Sequence, residues 1–170
     1  FHAGAMLQAL RYSDRWISSE AARWVKNGLD ENLPIGLSSI VSDLVQRTEE
    51  VVQLLWVQFP EQESEHGEYR FEYGRVPAPV AEKAALINVQ WQHLHREAAR
   101  LEAALDNALS RGTAAAESGR PEADLDLVNA QSLVSRAEQQ VALWQAFADA
   151  PGDRDLGDGW ARWMHHRGSS

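Results

Sequence analysis

Between Val80 and Leu105 the apolar residues Val80, Ala84, Ile87, Trp91, Leu94, Ala98, Leu101 and Leu105 recur at intervals of 4-3-4-3-4-3-4. That rhythm belongs to an α-helix packed at a shallow angle against other helices, and a strand cannot use it. Pro77 and Pro79 stand before the run, where a missing N–H is tolerated in a first turn. Ser110-Arg111-Gly112 ends it with a basic residue and a C′ glycine. At 1.5 Å per residue the span is a straight rod of roughly 45 Å.

A second rod is expected from 121 to 149. Leu127, Ala130, Val134, Ala137, Val141, Trp144 and Ala148 repeat the spacing, Pro121-Glu122-Ala123-Asp124 starts it, and Pro151-Gly152 stops it. The connection from Thr113 to Arg120 is small and polar, which predicts a long antiparallel hairpin of helices 80–112 and 121–149. Two further helices are expected within residues 1–59. One carries Leu7, Leu10, Ile17, Ala21 and Trp24, with Asp14 interrupting its stripe, and ends at Asn27-Gly28. The other carries Leu37, Val41, Leu44, Thr48, Val51 and Leu55, starts at Pro34-Ile35-Gly36 and stops at Pro60. The predicted fold class is therefore all-α, an antiparallel four-helix bundle forming one domain over residues 1–170.

Two segments break the pattern. Tyr69-Arg70-Phe71-Glu72-Tyr73, in the loop or ribbon region 60–79, alternates with the period of a strand. Trp160-Ala161-Arg162-Trp163-Met164, in the return segment 150–170, could pair with it in a short β-ribbon, or either could form an aromatic lid.

Composition narrows the chemistry. With 16 Lys+Arg against 25 Asp+Glu the net charge is −9, whereas a free-standing nucleic-acid binder is normally basic. Cysteine is absent, which excludes disulfides, thiolate metal sites and a cysteine nucleophile within these residues. No apolar run reaches the ~20 residues of a membrane span, and the expected location is the cytoplasm. The chain opens on Phe1 and trails off at Arg167–Ser170, and we expect it to be a piece of a longer protein.

No phosphate loop, dinucleotide fingerprint or zinc-protease motif occurs. His93 and His95 point about 200° apart on a helix and cannot share a metal. His165-His166 lacks a third ligand in register. Glu61, Glu63, Glu65 and Glu68 lack the glycine-centred spacing of a calcium loop, and adjacent acids such as Glu49-Glu50 face different directions. No catalytic residue and no metal ligand is nominated, and the piece by itself is expected not to be an enzyme. Of the seven tryptophans, Trp24, Trp91 and Trp144 fall on apolar stripes and are expected in the core. Trp160 and Trp163 stand among Arg154, Arg162 and Arg167, where they either plug one end of the bundle or stack the bases of a single strand. Arg70, Phe71, Tyr73 and Arg75 form a similar patch.

The order of motifs from about residue 50 to 165 resembles the arch domain of DinG-type DNA helicases, superfamily 2 motors related to XPD. The resemblance rests on an acidic loop, then Tyr69-Arg70-Phe71-Glu72-Tyr73-Gly74-Arg75-Val76-Pro77, then the long heptad helix. It continues in a second long helix ending Leu143-Trp144-Gln145-Ala146-Phe147-Ala148, and in Gly159-Trp160-Ala161-Arg162-Trp163. It implies a non-catalytic insertion in the first motor domain of a 5′-to-3′ ATP-dependent helicase. Such an arch closes over the channel of the translocating single strand and assists duplex separation. The parent would use ATP and magnesium, with an iron–sulfur cluster held in a different insertion in many relatives, and could serve DNA repair, the resolution of transcription conflicts or a plasmid- or CRISPR-associated system. The fragment itself would hold no cofactor, and its partners would be the motor domains and single-stranded DNA. Position and residue type nominate Arg70, Tyr73, Arg75, Arg162 and the hairpin-tip Arg111 and Arg120 as DNA-facing. The alternative is a helical protein-interaction or oligomerisation module with no nucleic-acid role, its heptads continuing into a partner's helices.

Overall fold

The computed structural model describes residues 3–58, 68–70, 76–111, 120–149 and 163–165. Four helices make the fold all-α: α1 Ala3–Lys26, α2 Asn32–Gln58, α3 Ala78–Ser110 and α4 Arg120–Ala148. α1 packs on α2, α2 on α3 and, most extensively, α3 on α4, so the four form a helical bundle around one core. Outside the helices, β1 Glu68–Arg70 pairs antiparallel with β2 Trp163–His165, with Tyr69 opposite Met164.

The ends of the helices follow local chemistry. α1 stops in a Schellman turn at Gly28, whose φ is +96°. The Gly28 N–H donates to Val25 O and the Leu29 N–H to Trp24 O, each at 3.0 Å. α2 begins at Asn32, two residues before the proline expected to start it, because Asp30 Oδ1 accepts the Asn32 N–H at 3.0 Å and caps the turn. α3 begins at Ala78, where Pro77 O accepts from both Val80 and Ala81.

All eight apolar residues of the Val80–Leu105 series are buried, as is the whole α2 series from Leu37 to Leu55. Each large side chain so placed contributes about 1.5–3 kcal/mol relative to an exposed position. Ala84, Ala98, Ala130 and Ala137 are fully buried on the same two helices that bury Trp91 and Trp144. The α4 stripe is shifted from its predicted position. Ala130, Ala137 and Trp144 are buried, but Leu127, Val134 and Val141 are only partly covered, while Leu133 and Asp126 lie inside. Apolar residues all round α4, including the exposed Leu125 and Val128, blur its periodicity. On α1, Ala21 is half-exposed and Trp16, absent from the predicted stripe, is buried instead.

Candidate functional site

Of the residues nominated as DNA-facing, Arg111 lies exposed at the C-cap of α3, its N–H bonded to Asn107 O at 3.1 Å. Arg120 is the first residue of α4, so the two arginines bracket the α3–α4 connection. Arg70 ends β1 opposite Trp163. Tyr73, Arg75 and Arg162 lie outside the described residues, as do Trp160, Arg154 and Arg167. The described arginines do not form one cluster. The 33 residues of α3 span about 50 Å. The chain from Arg70 to Ala78 reaches at most about 28 Å, which leaves Arg70 roughly 20 Å or more from Arg111. A strand touching both would have to run along the length of α3.

The sharpest polar constellation is one the periodicity reading passed over. Asp126, 3% exposed, sits within the bundle where α4 faces α1. Its Oδ1 accepts the Trp16 indole N–H at 3.2 Å, and its Oδ2 accepts the Trp24 indole N–H at 2.8 Å. Arg23 Nη2 donates to the same Oδ2 at 2.5 Å and to Glu20 Oε2 at 2.7 Å. The two indole rings meet edge to face with centroids 5.2 Å apart. Local sequence explains the set: residues 16 and 24 lie eight apart and so share a helix face, and Arg23 reaches round from the half-exposed side. Carboxylates at Glu20 and Asp126 hold the Arg23 guanidinium above its ordinary pKa although burial opposes this, so it stays charged. Asp126 lies beyond the first turn of α4, so these donors rather than the helix dipole stabilise it. A visible signal existed in the sequence: an acid inside the apolar run Leu125-Asp126-Leu127-Val128, which needs donors if it is buried.

A second set of polar groups lies in or beside the core. Asn88 Nδ2 donates to Gln145 Oε1 at 2.6 Å and ties the early part of α3 to the late part of α4. Among the described residues, Thr48 Oγ1, Asn88 Oδ1, Trp91 Nε1 and Gln140 Oε1 are buried without a hydrogen-bond partner. Asp14, which breaks the α1 stripe, accepts from Ser38 Oγ at 2.5 Å and so bridges α1 to α2. An open groove of about 710 Å³ runs between the same two helices, walled by Ile17, Ala21, Val25 and Ile35 with serine hydroxyls along it.

No group of three or more His, Asp or Glu among the described residues is placed to hold a metal ion. His93 and His95 are half-buried on either side of Leu94. No described helix is long and apolar enough to cross a membrane. Among the described residues the arrangement supplies two long helices, an arginine at the α3 C-cap and another as the first residue of α4, and a buried carboxylate that joins α1 to α4. Neither a family model, a curated protein nor a solved structure matches this chain.

Proposed function

We propose that this chain is the non-catalytic arch of a DinG-type, ATP-dependent 5′-to-3′ DNA helicase, a passive wall beside the channel of the translocating single strand. The observation that carries the reading is the pair of long helices, α3 of 33 residues and α4 of 29, packed along each other with arginine at the end of one and the start of the other. We read them as an antiparallel hairpin, in keeping with the Asn88–Gln145 hydrogen bond between the first third of α3 and the last turn of α4. The β1–β2 pairing fits a short ribbon on the path by which the chain returns toward a motor domain. Packed rods resist bending, which suits an element that a moving strand pushes against. ATP hydrolysis, and the magnesium it needs, would belong to the motor. The net charge of −9 is compatible with this role when DNA touches one edge and the acidic faces keep the insertion soluble.

Fluorescence anisotropy with a labelled oligonucleotide tests the DNA role. Binding should be weak, stronger for single strands than for duplex, and should fall with salt at a log–log slope of about −0.7 per phosphate contact. Arg111→Gln and Arg120→Gln should each reduce that slope by about one contact's worth. No binding at low salt, or a slope unchanged by both substitutions, overturns the proposed contacts.

A second reading, a protein-interaction or oligomerisation module, is favoured by the exposed apolar pairs Leu86/Val89 on α3 and Leu125/Val128 on α4. Sedimentation velocity separates the two, since an arch should remain monomeric as concentration rises.

A further inference from the structure

The bundle is closed unevenly. α3 lies along α4, α2 along α3 and α1 along α2, whereas the backbones of α1 and α4 scarcely approach each other. Among the described residues, the hydrogen bonds that join α1 to α4 all end on the Asp126 carboxylate: Trp16 on Oδ1, Arg23 and Trp24 on Oδ2. We propose that the α1–α4 seam is the line along which the bundle opens, and that Asp126 is its latch.

The reason lies in how these groups respond to water. An apolar seam loses its burial energy in proportion to the area it exposes. A carboxylate and a guanidinium recover most of their hydration on opening, so the latch is strong when dry and weak when wet. Arg23, with 31% of its side chain exposed against 5% for Asp126, gives water an entry from one side, and Glu20 keeps the arginine paired after Asp126 departs. Release is also concerted. Three donors share one carboxylate, so a shift of α4 that breaks one bond removes the partner of the others. In the open state Trp16 and Trp24 would line a newly exposed face, while α4 stays on α3 and α1 on α2.

Because the chain has no cysteine, a single introduced thiol reports seam opening without background. Leu133→Cys places it one heptad from Asp126, on the same stripe of α4, at a position 2% exposed. Leu94→Cys places a control thiol in the α3 core at 0% exposure. In an otherwise unchanged chain, a thiol-reactive dye should label position 133 at least tenfold faster than position 94. Adding Asp126→Asn should raise the rate at 133 a further tenfold or more and leave the rate at 94 within twofold. Equal rates at the two positions in the unchanged chain would overturn the latch, and that arm does not depend on the folding of the Asn variant. So would equal acceleration at both positions, which is global loosening, or no acceleration at either.

Discussion

Position 126 carries a carboxylate where the heptad pattern offers a core site, and it is tolerated there because two indoles and a guanidinium meet it. Asp126→Ala leaves the Trp16 and Trp24 indole N–H groups without their acceptor, while Arg23 keeps Glu20, and should destabilise the protein by about 2–5 kcal/mol in urea or guanidinium titrations. Trp24 and Trp91, both buried, should answer the same substitution differently. Trp24→Phe removes a donor from Asp126 as well as volume, whereas Trp91→Phe removes an indole N–H that has no partner. Trp24→Phe should therefore cost about 1–3 kcal/mol more than Trp91→Phe, and equal costs would show that hydrogen bonding at Asp126 contributes nothing. At this scale the sequence was partly readable. The expectation of buried Trp24, Trp91 and Trp144 agrees with the structure because each falls on a regular apolar stripe. Trp16 and Asp126 were missed because a periodicity argument counts apolar residues and gives no weight to a polar atom whose partner is a hundred residues away.

Helix α3 was legible to within two residues at each end, since its apolar stripe is unbroken and prolines stand at its start. Helix α4 was legible in extent but not in facing, because apolar side chains surround it and the face is chosen by its neighbours α3 and α1. The α1–α2 turn was readable from Asn27-Gly28. Gly28→Ala, forced to hold φ near +96°, should cost about 1–2 kcal/mol of unfolding free energy. The link from α2 to α3 should respond to acid. The Lys83 ammonium, 3.0 Å from Glu50, and then Gln46 hold the Glu50 carboxyl below its ordinary value near 4.5. A lowered carboxylate favours the folded state above the unfolded pKa, and that contribution is lost as pH falls through the folded pKa. Asp30, lowered from 3.8 chiefly by the Asn32 backbone N–H, acts in the same direction at the start of α2. Thermal melting temperatures should thus hold above about pH 4.5 and fall below it. Lys83→Gln should flatten the part of that decline due to Glu50, and an unchanged acid profile in the variant would contradict the assignment.

At the scale of the whole molecule, the all-α class followed from the 3-4 spacing of four segments, and the uneven closure of the bundle did not. Closure depends on which helix faces meet across the α1–α4 seam, and nothing in a linear pattern encodes that. Function was the least legible property, because no group of three or more metal-ligating side chains comes together among the described residues and no catalytic motif occurs in the sequence. The account's central claim is that this bundle takes its purpose from a motor joined to it in the same polypeptide. The most direct test is to sequence the complete reading frame that encodes these residues. The account predicts a phosphate-binding loop and an acidic ATPase box in the frame around this segment, and a frame with neither would contradict it.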